Sequence, residues 1–118
     1  MNTYKHFLQL LDGDFQKFDY DDETNMKIYG SVEPPHYDLK KVTAPTKVFV
    51  GDGDFLSTVM NAKKLSNALP NSMGCHVVER SDFNHIDFTF ANDAREMVYD
   101  YMISDINSIR DEASCDRF

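Results

Sequence analysis

A short strand that ends in an acidic glycine turn constrains the fold of this chain more than any other feature. Thr46–Val50 is a β-branched and aromatic run, which favours a strand, and Pro45 before it fits only a strand's start or edge. Gly51–Asp54, with the sequence Gly-Asp-Gly-Asp, predicts a tight turn directly after the strand. The predicted strand therefore brings the carboxylate of Asp54 to its own carboxyl end.

A helix and a second strand are expected after this turn. Ser57 or Thr58 is expected to cap the helix, which runs through Leu69 and is closed by Pro70. The predicted apolar face of this helix consists of Ala62, Leu65 and Leu69. The second predicted strand is Cys75–Glu79, with the sequence CHVVE. Because strands that alternate with helices are typical of parallel sheets, the sequence predicts an α/β fold.

A histidine, His85, lies in the loop after the second strand, within the stretch SDFNHIDF. Asn92 is then expected to cap a long helix. The predicted apolar face of that helix consists of Ala94, Met97, Val98, Tyr101, Met102 and Ile106. Working side chains in parallel sheets follow the carboxyl ends of the strands, and neighbouring strands lie about 5 Å apart. Asp54 and His85 can therefore meet at this end of the sheet.

The residues before the first strand carry weaker signals. Tyr4, Phe7, Leu8 and Leu11 have the spacing of an amphipathic helix, for which Gly13 is the expected stop. Phe15–Leu39 is aromatic and acidic and has no clear period, so we expect an ordered but irregular segment there.

Composition excludes several classes of function. The 118 residues suffice for one small domain, and 42% of them are hydrophobic, so a disordered tail is excluded. The formal charge of −8, without a basic patch, argues against binding to nucleic acid or to anionic lipid surfaces. The sequence has no apolar run of about 18 residues that would cross a membrane, and its first residues do not resemble a signal peptide.

An aspartate paired with a histidine suits one kind of chemistry in particular. A carboxylate that accepts the Nδ1 proton fixes the imidazole tautomer, and Nε2 can then take a proton from a serine hydroxyl. The residues by themselves leave alternatives open: His85 also fits a hydrogen-bonded core histidine, and Asp54 also fits a solvated turn. A metal site at these two residues is not expected, because no further ligands are spaced to complete it.

Four stretches of the sequence together resemble the C-terminal part of the acid lipases, the family of gastric and lysosomal lipases and their insect relatives. The resemblance covers residues 4–103, and its most specific pattern is FNH.DF..A.DA.E.VYD. The matching stretches are FLQLLDGDFQKFDYDDETNMKIYG, PPHYDLKKVTAPTKVFVGDGDFLS, LSNALPN and FNHIDFTFANDAREMVYDYM.

The resemblance implies a fold and two site residues. The fold is the C-terminal part of an α/β-hydrolase, with two parallel strands, flanking helices and an incomplete sheet. Residues 1–35 would be the exit of the lipase cap region, 36–107 the C-terminal hydrolase elements and 108–118 a polar tail. Asp54 matches the triad acid and His85 the triad base. The family prefers Asn and Trp beside the acid, where this chain has Gly53 and Phe55.

The triad nucleophile has no counterpart in this sequence. The family's serine lies in an upstream Gly-x-Ser-x-Gly turn, and none of the eight serines here has that context. The resemblance therefore implies a lysosomal or secreted parent enzyme that hydrolyses neutral lipid esters, either triacylglycerols or steryl esters, without a cofactor. These 118 residues are expected to be inactive alone, and to associate through an open strand edge with each other or with an upstream fragment. The alternative is a short non-catalytic protein that binds a lipid or a protein.

Overall fold

The structure, a computed structural model, describes residues 2–12 and 15–115 and divides them into two compact units. The first unit contains the described residues up to Ala44 together with Ala68–Asn71, and the second contains the remainder. The elements in chain order are α1 (Asn2–Asp12), α2 (Asp22–Tyr29), a 3₁₀ turn (Leu39–Lys41), β1 (Thr46–Gly51), α3 (Val59–Ala68), β2 (Ser72–Val78), α4 (Asp87–Phe90), a π-helical turn (Arg95–Tyr99) and α5 (Asp100–Cys115).

The helix α2 of the first unit corrects the expectation of an irregular segment over Phe15–Leu39. A carboxylate oxygen of Asp21 accepts the backbone N–H of Thr24 at 2.8 Å, which caps the start of the helix. Gly30 adopts a left-handed φ of 75° and donates its N–H to the carbonyl of Met26 at 3.1 Å, which ends the helix. The two caps define this short helix, so the spacing of its apolar residues does not predict it.

A buried asparagine closes the loop around α2. The Asn25 side-chain amide donates to Asp19 Oδ1 and to the Val32 carbonyl, both at 2.7 Å. Its Oδ1 accepts the backbone N–H of Tyr20 at 3.1 Å. Since Asn25 is almost fully buried and each of its side-chain polar groups has a partner, its hydrogen bonds hold this segment together.

The predicted amphipathic helix at the N-terminus is confirmed as α1. Three side chains of its apolar stripe, those of Tyr4, Phe7 and Leu8, are nevertheless exposed. The predicted stop at Gly13 lies outside the described residues.

The sheet of the second unit consists of β1 and β2 in parallel, as the sequence predicts, and the described residues pair each strand on one side only. Pairing is regular from Val48 opposite Cys75 to Gly51 opposite Val78. Before that, two residues of β2 lie opposite one residue of β1, which is a β-bulge at Gly74, where φ is 94°. The second strand begins three residues before the predicted Cys75 and ends one residue earlier than predicted.

The core of the second unit lies between the sheet and the C-terminal helices. Val78, Phe83 and Val98 are its fully buried members. Phe49, Phe88, Ala91, Met97 and Met102 pack around them. The predicted inward face is wrong for Tyr101 and Ile106, which are 51% and 64% exposed. The π-helical turn explains this error, because its wider hydrogen bonding ends the 3.6-residue period before Tyr101.

Candidate active site

Asp54 occupies the turn that follows β1, as predicted, and its carboxylate is held from two sides. Oδ1 accepts the backbone N–H groups of Leu56 and Ser57, each at 2.9 Å. The backbone N–H of Asp54 donates to the carbonyl of Gly51 at 3.2 Å, which closes the turn. The side chain is only 2% exposed. These contacts fix the carboxylate and leave Oδ2 to face another partner.

That partner is His85, whose Nδ1 lies 3.0 Å from Asp54 Oδ2. A carboxylate without a proton only accepts hydrogen bonds, so this contact matches the imidazole tautomer that carries its proton on Nδ1. The imidazole is 56% exposed, and the described part of the chain provides no hydrogen-bonding partner for Nε2. The structure thus brings the two predicted site residues together, with a buried acid and an accessible ring nitrogen.

Two glycines allow the histidine loop to approach the aspartate turn. Gly53 donates its backbone N–H to the carbonyl of Phe83 at 3.0 Å. A Cβ placed on Gly51 would lie 2.2 Å from the same carbonyl oxygen, and one on Gly53 would lie 2.8 Å from the carbonyl oxygen of Ser81. Glycine is therefore required at the first position by the close approach of two backbones.

The histidine loop has its own internal hydrogen bonds. Asn84 donates its backbone N–H to Asp87 Oδ2 at 2.8 Å, and its side-chain oxygen accepts the N–H of Ile86 at 2.9 Å. The Tyr99 hydroxyl donates to the carbonyl of Phe88. Asp87 therefore shapes the loop, while Asp54 is the carboxylate that contacts the imidazole.

An arginine at the start of this loop is a feature that no periodic pattern in the sequence indicates. Arg80 donates from Nη1 to both oxygens of Asp93, at 2.8 and 2.6 Å, and from Nε to Asp82 at 2.8 Å. These hydrogen bonds hold the pKa of the Asp93 carboxyl below its usual value and raise the pKa of Arg80. The only sequence signal is a basic residue among several aspartates.

Comparison with known proteins identifies the relatives of this chain. It is 34% identical to Lipase 1 of Drosophila melanogaster over 89% of its length, and 36% identical to Lipase 3 of the same fly over 92%. It is also 36% identical over 88% of its length to gastric triacylglycerol lipase of Rattus norvegicus. No family model matches the chain.

The chain belongs to the acid lipase family. It corresponds to the C-terminal portion of these proteins and spans about a quarter of the length of the curated relatives it matches, namely 24%, 28% and 26% for the three above. The predicted fold class is consistent with this relationship, since an open two-stranded α/β arrangement is expected of a partial hydrolase sheet.

The residues beside Asp54 distinguish this chain from the pattern expected of acid lipases. At Gly53, where that pattern has Asn, a side chain would press on the backbone of Ser81 and Asp82. At Phe55, where it has Trp, the ring is exposed. A side chain at position 53 would therefore have to push the two loops apart, whereas the side chain at position 55 faces solvent.

Neither a metal site nor a membrane span is found in the part of the chain that the structure describes. Over residues 2–12 and 15–115, no three His, Cys, Asp or Glu side chains are arranged to hold a metal ion. Within the same ranges, the helices are too short or too polar to cross a bilayer.

Proposed function

We propose that this chain supplies the acid and the base of an acid-lipase-type ester hydrolase, whose nucleophile lies outside these 118 residues. The observation that carries the proposal is the 3.0 Å contact between His85 Nδ1 and Asp54 Oδ2. The other carboxylate oxygen is occupied by two backbone N–H groups, so the acid is oriented before any substrate arrives. A solvated turn aspartate can also accept backbone N–H groups, as Asp21 does from Thr24, but it would not be buried beside an imidazole as Asp54 is.

In the proposed reaction, Nε2 of His85 accepts the proton of a serine hydroxyl while the serine oxygen attacks the ester carbonyl. Asp54 remains ionised and stabilises the imidazolium that forms. The same proton then passes to the departing alcohol, and a water molecule deprotonated by Nε2 hydrolyses the acyl-enzyme. Each of these steps needs the exposed ring nitrogen and the fixed tautomer described above.

The proposed substrates are neutral lipid esters, namely triacylglycerols or steryl esters. One relative is named a gastric triacylglycerol lipase, which supports the first class. The same relationship supports a secreted or lysosomal location for the parent enzyme. Within this proposal, residues 1–35 correspond to the exit of the cap region, 36–107 to the C-terminal hydrolase elements and 108–118 to a polar tail.

We expect these 118 residues alone to have negligible esterase activity. An acid and a base without a nucleophile cannot form an acyl-enzyme, and none of the eight serines lies in a Gly-x-Ser-x-Gly turn. Assays with a short-chain ester and with a triglyceride test this expectation. Turnover that is blocked by an organophosphonate labelling one serine of the chain would contradict it.

A second experiment tests the roles of the pair. The chain is joined to the upstream portion of a relative such as Lipase 3 of Drosophila melanogaster, where the family resemblance implies the Gly-x-Ser-x-Gly turn, and acyl-enzyme formation is followed. Replacement of His85 by Ala should abolish the acyl-enzyme. Asp52→Asn is the matched control for Asp54→Asn, because Asp52 is an exposed aspartate of the same turn. Equal losses from both aspartate variants would overturn the proposed role of Asp54.

The second candidate function is non-catalytic binding of a lipid or a protein. The exposed apolar stripe of α1, with Tyr4, Phe7 and Leu8, is the observation that favours it. Binding of the 118-residue chain to neutral-lipid droplets, lost on Phe7→Ser and retained in Asp54→Asn, would support this function. Dependence of the hybrid's ester hydrolysis on His85 would support the first.

A further inference from the structure

One guanidinium joins four parts of the segment that carries His85. Arg80 follows β2 by two residues, and its Nη1 and Nε bind Asp93 and Asp82. Its Nη2 lies 3.8 Å from Asp87 Oδ2, and its Cζ lies 4.9 Å from the centroid of the Phe83 ring. The side chain thus contacts residues before His85 and residues after it.

The contacts of Arg80 lead in one direction to the turn that carries Asp54 and in the other to the residue before His85. On one side, the ring beneath the guanidinium belongs to Phe83, whose carbonyl accepts the N–H of Gly53 beside Asp54. On the other side, the Asp87 carboxylate accepts the N–H of Asn84, the residue before His85. Two contacts, through Asp87 and Asn84, therefore link Arg80 to the residue before His85. Two others, through Phe83 and Gly53, link it to the aspartate turn.

We propose that Arg80 is a positioning residue, which holds the His85 loop so that Nδ1 faces Asp54. Its effect on catalysis rests on the proposed function, whereas its effect on the His85–Asp54 hydrogen bond stands on the geometry alone.

The charges around this loop explain why a cation is needed. Asp82, Asp87 and Asp93 place three carboxylates around Arg80, and without its charge they would repel one another. The guanidinium presents several donors in a fixed fork. Its Nη1 can therefore donate to both carboxylate oxygens of Asp93 while its Nε donates to Asp82. Lysine carries the same charge but lacks the planar fork, so Arg80→Lys should restore the loop only in part.

The test uses the ¹⁵N-labelled 118-residue chain and reads the imidazole tautomer of His85 by long-range ¹H–¹⁵N NMR. Wild type should show a protonated Nδ1 and a bare Nε2, and Asp54→Asn should remove this pattern. Arg80→Met should lose it as well, and Arg80→Lys should be intermediate. Asp82→Asn removes the charge of one partner, while the amide oxygen can still accept from Nε, and it serves as the milder variant should Arg80→Met be unfolded.

Lys47→Met is the matched control. Lys47 is 25% exposed and Arg80 30%, and each pairs closely with an aspartate: Lys47 with Asp105 at 2.7 Å and Arg80 with Asp93 at 2.6 Å. Arg80 differs in that it also contacts Asp82 and Asp87 of the His85 loop. Each also lies over a phenylalanine ring of the same unit. Lys47→Met should lower the melting temperature but leave the His85 tautomer unchanged.

Two results would overturn the proposal: an unchanged tautomer in Arg80→Met and in Asp82→Asn, or an equal loss of the tautomer in Lys47→Met. In the hybrid enzyme, Arg80→Met should lower kcat by about 10²-fold, the effect typical of a misplaced catalytic group. A hybrid that has no activity while the tautomer still depends on Arg80 would refute the proposed function and leave the positioning role intact.

Discussion

Replacing Gly51 by alanine should disrupt the site more than any other single added methyl group at its glycines. The new Cβ would lie 2.2 Å from the carbonyl oxygen of Phe83 and 2.9 Å from its carbonyl carbon. Ordinary contact begins near 3.4 Å, so the two backbones must separate by about 1.2 Å. The clash involves backbone atoms of Phe83, which is completely buried, so it cannot be relieved by moving a flexible side chain. Because Phe83 precedes His85 by two residues, the backbone that carries the imidazole must shift.

This separation has two measurable consequences. The free energy of unfolding should fall by about 1–3 kcal/mol, the usual cost of overpacking. The distance of 3.0 Å between His85 Nδ1 and Asp54 Oδ2 should increase to about 4 Å, beyond hydrogen-bonding range. Urea denaturation at low temperature measures the first effect, and the NMR tautomer pattern of His85 measures the second.

Two other glycines serve as controls. Gly53→Ala should act in the same direction but more weakly, since its Cβ would meet the Ser81 carbonyl at 2.8 Å. Gly74→Ala should cost about 1–2 kcal/mol through its φ of 94°, but its Cβ would have open space, so the His85 tautomer should not change. The reasoning is refuted if Gly51→Ala keeps the wild-type tautomer, or if Gly74→Ala loses it.

Three further predictions concern catalysis, acid stability and association. In the hybrid enzyme, Asp54→Asn should lower kcat by about four orders of magnitude, because the imidazole would adopt the wrong tautomer; a variant within tenfold of wild type would contradict this. Asp93 stabilises the fold above its unfolded pKa of 3.8, and this stabilisation is lost as the pH falls through its lowered folded pKa. The free energies of unfolding of wild type and Asp93→Asn, measured by urea denaturation, should therefore differ at neutral pH and converge in acid. The isolated chain should self-associate, because each described strand is paired on one side only; light scattering that shows a monomer would contradict this.

The parts of the fold that the sequence predicts well are those with a periodic or compositional signal. The β-branched run of β1 and the glycine–aspartate turn after it place Asp54, and the order of elements makes the sheet parallel. Since carboxyl ends of neighbouring parallel strands lie together, the approach of His85 to Asp54 follows from topology. Their contact also requires that the loop between β2 and His85 be short enough to bring the imidazole back to the turn after β1.

The features that the sequence does not predict depend on single hydrogen bonds rather than on period. The helix α2 is set by one capping carboxylate and one left-handed glycine, and neither produces an apolar pattern. Arg80 and Asp93 are 13 residues apart on irregular chain, so no spacing rule connects them. The exposure of Tyr101 follows from a single wide helical turn that sequence periodicity does not reveal.

The bulge at Gly74 also determines where this sheet tolerates changes in chain length. The extra residue lies at the entrance of β2, and the ladder from Val48 to Gly51 is already regular after it. An insertion or deletion at the bulge can therefore be taken up there without rotating the later residues of either strand to the opposite face. One inserted residue between Val77 and Asp82 would instead move the His85 loop relative to the aspartate turn. Homologous genes should accordingly vary in length before Cys75 more freely than after it.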